Sequence, residues 1–149
     1  MDKKQRGDIS EIAATLKSME KEWIVLKPIG DRLPFDFCLL INGKLVKIQV
    51  KTAWYDSKRK NYVIDTRKTL TNSREIKRKK YTLEDVDFII AYIQSSKVFY
   101  IFPISDFNSF RSSIALVEIN KRQREPRSSK FREAWYLIEE WAIQKETSE

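Results

Sequence analysis

The chain has 149 residues, enough for one domain that buries a core without a metal or disulfide staple. One cysteine and no histidine exclude a disulfide framework, a cysteine–histidine zinc site and every histidine-based triad or general base. Lysine plus arginine number 29 against 21 aspartates and glutamates, and the net charge of +8 favours polyanionic partners. No apolar run is long enough to span a bilayer, and the polar residues 1–8 lack the core of a signal peptide, so the expectation is a cytosolic, reduced protein.

Asp8, with Glu11 three residues on, forms a capping-box pattern. Ile9, Ile12, Ala13, Leu16 and Met19 follow at helical spacing and predict an amphipathic helix over residues 9–21. Residues 22–29 suit a strand, and Gly30-Asp31 with Pro34 mark a turn. Residues 35–41 and 44–53 read as two strands about Asn42-Gly43, a strong type I′ hairpin signal. Residues 61–66 form a third sheet-like run, the basic stretch 67–82 is expected to hold a short helix over 73–81, and 56–62 and 120–130 read as exposed loops. Residues 86–93 and 98–104 are apolar strands joined by Gln94-Ser95-Ser96-Lys97, and 114–119 suit another short strand. Ser128 or Ser129 is expected to cap a last helix that buries Phe131, Trp135, Ile138 and Trp141 or Ala142.

The Asn42-Gly43 turn sets a register in which paired residue numbers sum to 85. Ile41 then faces Lys44, Leu39 faces Val46, Phe37 faces Ile48, and Asp36 falls opposite Gln49. Alternation places Phe35, Phe37, Leu39, Val46, Ile48 and Val50 on a core face, and Asp36, Cys38, Lys47, Gln49 and Lys51 on the other. Asp36 and Gln49 would have Cβ atoms about 4.5–5.5 Å apart, with Lys51 diagonal to them. An acid, an amide and a lysine thus converge at one end of the hairpin. Such a set also suits a solvated strand face with a cross-strand ion pair. Its alternative chemistry is specific: a carboxylate and an amide oxygen are hard ligands for Mg²⁺, and a lysine can stabilise developing negative charge. Mn²⁺ is expected to substitute, and Ca²⁺ to bind without turnover. Cys38 shares the polar face but reads as a small packed hydrophobe rather than a nucleophile.

Asp36, twelve intervening residues and then Gln49-Val50-Lys51 resemble the PD-(D/E)XK nuclease motif, in the variant with Gln at the second acidic position. Arg6-Gly7…Glu11 on the first helix is similar to the helix-borne Glu of the resolvase-like branch, as is the tail Tyr81…Val86-Asp87-Phe88-Ile89-Ile90…Phe99-Tyr100-Ile101-Phe102-Pro103-Ile104. The likeness is greatest to small homing endonucleases encoded in bacterial group I introns, and it covers about residues 6–106. It implies a single α/β domain over 1–149 with an αβββαβ core and a mixed central sheet flanked by helices, residues 107–149 forming an extension. It also implies Mg²⁺-dependent phosphodiester hydrolysis in double-stranded DNA, in a bacterial, nucleoid-associated setting. Carried over by position, Glu11 and Asp36 become metal ligands, Gln49 takes the second acidic position, Val50 offers its carbonyl, and Lys51 is the catalytic lysine. Two departures stand out: Gln49 removes one negative charge, and Phe35 separates Pro34 from Asp36.

The charge is concentrated. Residues 56–81 hold Lys58, Arg59, Lys60, Arg67, Lys68, Arg74, Lys77, Arg78, Lys79 and Lys80 against Asp56, Asp65 and Glu75. A second group comprises Lys121, Arg122, Arg124, Arg127, Lys130 and Arg132 against Glu125. These are the expected DNA contacts, with residues 57–61 suited to tip a hairpin into the major groove. One site cuts one strand, so double-strand cleavage calls for a homo-oligomer, a dimer or a dimer of dimers. The apolar run 98–104 and Trp135, Tyr136 and Trp141 are candidates for either a subunit surface or the core. A Holliday-junction resolvase or restriction enzyme on the same core, and an inactive DNA-binding module marked by Gln49, are the alternatives.

Overall fold

The computed structural model describes residues 1–71, 76–119 and 123–147, without the side chains of 68–71, 76–79 and 145–147. Helix α1 (Lys3–Glu20) leads into β1 (Ile24–Leu26), β2 (Phe37–Ile41) and β3 (Lys44–Thr52). A crossover follows with β4 (Trp54–Asp56), β5 (Asn61–Asp65), β6 (Arg67–Thr71) and β7 (Ile76–Lys80). Then come β8 (Phe88–Ile93), β9 (Val98–Pro103), α2 (Ile104–Asn108), β10 (Ser113–Leu116), a 3₁₀ turn (Ser129–Phe131) and α3 (Tyr136–Thr147). The central sheet has the order β1-β2-β3-β8-β9 and is antiparallel except for β3 against β8. This is the mixed sheet flanked by helices that the sequence implied.

Asn42 and Gly43 take φ of 51° and 75°, as a type I′ turn requires. The resulting rungs, Ile41–Lys44, Leu39–Val46 and Phe37–Ile48, are those expected from the turn. Buried side chains alternate between two clusters, one on each face of the sheet. Phe37, Leu39, Val46, Ile48, Phe88, Ile90 and Ile101 pack against Ala14 of α1 and Ile138 and Ala142 of α3. Ile89, Ala91, Ile93, Tyr100 and Phe102 pack against Ile64, Phe107, Ile114, Leu116 and Phe131. β8 is apolar throughout because both of its faces are covered. Phe35 departs from the alternation: it packs against the second cluster, not beside Phe37.

Helix α1 differs most from expectation. It starts at Lys3, where the Asp2 carboxylate accepts the Gln5 N–H at 2.7 Å, so Asp8 and Glu11 lie within the helix and form no capping box. Its buried positions are Ser10, Ala14 and Ser18, while Ile12, Leu16 and Met19 are 63, 56 and 59% exposed. Small side chains at i, i+4 and i+8 let the helix lie close to the sheet. Ser10 Oγ and Thr52 Oγ1 are 2.7 Å apart, and Ser18 Oγ donates to the Ala14 carbonyl. The long apolar residues are left facing outward.

The expected helix over 73–81 is also overturned. Residues 76–80 are strand, paired with 67–71 in a two-stranded ribbon, and 72–75 lie outside the described residues. Helix propensity favours Ile76-Lys77-Arg78-Lys79-Lys80, but such a helix would have no apolar stripe to bury. Residues 54–56 and 61–65 pair as a hairpin where a loop was expected over 56–62. The strand expected over 22–29 shortens to β1, that over 114–119 to β10, and α3 begins only at Tyr136, because Glu133 takes φ of 50°. Phe131, Trp135, Ile138 and Ala142 are buried as expected. β9 residues 98–102 and Trp135 are interior, and Trp141 packs edge-on to Phe88, so of the candidate subunit surface Tyr136 remains well exposed. Among the described residues, no helix is long and apolar enough to cross a membrane.

Candidate active site

The β2–β3 ladder ends at Phe37–Ile48, so Asp36 does not pair with Gln49 as the register alone predicts. Its N–H instead donates to the Ile48 carbonyl at 2.8 Å, and its Oδ2 accepts the Val50 N–H at 2.7 Å. The departure from the ladder turns the carboxylate back over the end of β3. Gln49 Nε2 lies 3.4 Å from the Val50 carbonyl, so amide and carbonyl stand together beside Asp36. Glu11, half-buried on α1, pairs with Lys27 Nζ at 3.5 Å. Lys51 Nζ donates to the Arg67 carbonyl at 3.2 Å and lies 5.1 Å from the centre of the Tyr81 ring.

Glu11, Asp36, Gln49, Val50 and Lys51 all line one cleft of about 1250 Å³. Lys27 and, from the crossover, Asp65, Arg67 and Tyr81 line it too. Burial raises the Asp36 carboxyl from 3.8 to about 6. The Val50 N–H opposes that shift, Glu11 adds to it, and Lys27 and Lys51 pull against it. Burial likewise pushes the Tyr81 hydroxyl up, and the Cys38 thiol too, consistent with a packed rather than nucleophilic cysteine.

The donors suit a hard divalent cation. Two carboxylates, an amide oxygen and a backbone carbonyl offer oxygen only, and the desolvated Asp36 carboxylate gains from a nearby positive charge. Among the described residues no three Asp, Glu or Cys side chains gather into a complete cage. A cation here would therefore keep waters and take ligands from substrate, as Mg²⁺ characteristically does.

The basic groups fall in three places. Lys58, Arg59 and Lys60 are exposed at the tip of the β4–β5 hairpin, with Arg59 held near Asp56 at 3.7 Å. In the β6–β7 ribbon the four rungs from Arg67–Lys80 to Leu70–Lys77 each carry one or two basic residues. Lys80 is exposed and donates to the Asn108 carbonyl, whereas the side chains of Lys68, Lys77, Arg78 and Lys79, and all of Arg74, lie outside the described residues. Lys121 and Arg122 also lie outside them. Arg124 is exposed, and Arg127 stacks on Phe110 at 4.3 Å, lining a separate small cleft. Lys27 went unread in the sequence. It follows β1, whose pairing with β2 closes through residues 27–36, and no tight turn there fixes a register.

The PD-(D/E)XK endonuclease family matches residues 1–138 of the chain. Among solved structures, a bacterial homing endonuclease, I-Ssp6803I, is 46% identical, with a TM-score of 0.89 over 97% of this chain and 99% of that one. No curated protein matches.

Proposed function

Because the chain belongs to the PD-(D/E)XK endonuclease family, whose members use divalent metal ions, we propose that it is a site-specific, homing-type endonuclease. It hydrolyses phosphodiester bonds in double-stranded DNA with Mg²⁺ and acts as a homo-oligomer. The observation that carries this reading is the convergence of Glu11, Asp36, Gln49, Val50 and Lys51 on one cleft, which Trp54, Asp65, Arg67 and Tyr81 at the bases of the two hairpins also line.

Asp36, Glu11, the Gln49 amide oxygen and the Val50 carbonyl would hold the cation, which would supply polarisation of the scissile phosphate and a more acidic water. Lys51 faces the phosphate and offsets the charge that builds on it as water attacks. Val50 N–H fixes one Asp36 oxygen, which orients the other toward the cleft. Lys27 holds Glu11 by its carboxylate until a cation competes for it. The β4–β5 tip and the β6–β7 ribbon suit a major groove, which admits a two-stranded ribbon, and their cations meet phosphates and guanine edges.

Gln49→Glu tests the ligand set. A third carboxylate strengthens cation binding, so the Mg²⁺ concentration for half-maximal cleavage falls about tenfold. In the metal-free protein the added charge also raises the Asp36 carboxyl further. An unchanged Mg²⁺ titration would remove Gln49 from the ligands.

Ile12, Leu16 and Met19 form an exposed apolar stripe on α1. A second copy covers this stripe in our reading. Ile12→Glu with Leu16→Glu then lowers the mass measured by light scattering to that of a monomer, and paired cuts become nicks. A double variant that keeps the parental mass would move the interface elsewhere.

The decisive experiment incubates a randomised duplex pool with protein and Mg²⁺ and sequences both ends of the products. A recurrent target with fixed stagger is expected. Preference for four-way junctions regardless of sequence would favour a resolvase, and absence of any nick with Mg²⁺ or Mn²⁺ would leave a DNA-binding module.

A further inference from the structure

Lys51 reaches the cleft from a strand, yet its ammonium is held by the crossover. Its Nζ donates to the Arg67 carbonyl at 3.2 Å and stands 5.1 Å from the Tyr81 ring centre, within the range at which a ring face attracts a cation. Tyr81 is itself fixed. It is only 5% exposed, Phe107 meets its ring edge-on at 6.1 Å and 72°, and Asn108 Nδ2 donates to its carbonyl at 2.8 Å. Arg67 and Tyr81 flank the basic ribbon: Arg67 opens β6, and Tyr81 directly follows β7. The ribbon's base and the ammonium's seat are one structure.

We propose that Tyr81 is a positioning residue for the hydrolytic step: its ring and the Arg67 carbonyl form a seat that aims the Lys51 ammonium at the scissile phosphate. The ring face supplies electron density on one side of the ammonium and the carbonyl supplies an acceptor on another. Held on these two sides, Lys51 lines the cleft together with Asp36 and Gln49. The seat also ties Lys51 to the ribbon, so a ribbon seated on DNA holds the ammonium in place. The inference rests on the reading of Lys51 as the group that meets the phosphate.

The test varies the ring's electrons at constant shape. Full-length protein carries Tyr81→Phe, then phenylalanines of increasing fluorination up to pentafluorophenylalanine at position 81. Single-turnover cleavage is measured with Mg²⁺ and duplex affinity with Ca²⁺. Tyr81→Phe keeps most of the rate, and the pentafluoro ring, whose face repels cations, slows cleavage about tenfold. Duplex affinity stays constant across the series, whereas a merely structural ring would leave the rate constant as well. Tyr81→Leu, checked for a native melting transition, matches or exceeds the pentafluoro loss. A flat series, with Lys51→Met inactive, overturns the seat and leaves the active-site reading standing. Lys51→Met cleaving at the parental rate overturns both.

Discussion

Asp36→Asn is expected to abolish cleavage and at the same time to stabilise the metal-free fold. Loss of the ionised ligand lowers the single-turnover rate by at least about a thousandfold. The amide still accepts the Val50 N–H, so the geometry at the end of β3 survives. Stability changes because burial raises this carboxyl from 3.8 to about 6. A carboxyl raised on folding favours the fold while protonated, below its unfolded value, and that advantage is lost as pH rises through about 6. At pH 8 the buried carboxylate therefore costs the metal-free protein up to about 3 kcal/mol, which the amide removes. The melting temperature of Asp36→Asn exceeds that of the parent at pH 8, and the two converge near pH 4. Mg²⁺ narrows the gap at pH 8 by stabilising the parent alone. Because the ligand is the ionised form, protons compete with Mg²⁺ at Asp36, so the Mg²⁺ concentration the parent needs for half-maximal cleavage rises as pH falls below about 6. A variant less stable than the parent at pH 8 would show that Asp36 contributes to the fold rather than burdening it.

Lys51→Met is the second large effect. Methionine fills the volume of the lysine stem in a half-buried position, so the melting temperature changes little. The ammonium acts only as charge builds on the phosphate, so cleavage falls about 100- to 1000-fold. Duplex affinity in Ca²⁺ stays within about threefold, since one phosphate contact among many is lost. A parallel loss of affinity and rate would instead make Lys51 a DNA clamp.

The two variants divide the site as the chain itself does. Asp36, Gln49 and Lys51 were legible because a two-residue turn transmits register without accumulated error, and Asn42-Gly43 names that turn. Even there the reading broke one residue beyond the last rung, where Asp36 leaves the ladder to reach Val50. Helix α1 misled because hydrophobic spacing shows which side is apolar, not which side is buried. Ser10, Ala14 and Ser18 face inward because closeness to β3 outweighs the transfer of larger side chains. The β6–β7 ribbon was misread for the converse reason: local propensity favoured a helix that had no surface to cover. Lys27 and the seat of Lys51 depend on contacts between distant segments, which no local pattern encodes.

The parallel contact of β3 with β8 has a consequence for how the protein matures. The β2–β3 hairpin closes through two residues and can form within microseconds. β8 reaches β3 only after the whole crossover has looped back, a slower search against chain entropy. Asp36, Gln49 and Val50 are thus brought together early in assembly, while Glu11, Arg67 and Tyr81 join them only through contacts between distant segments. The hairpin fixes where Lys51 stands before the crossover fixes where its ammonium is held.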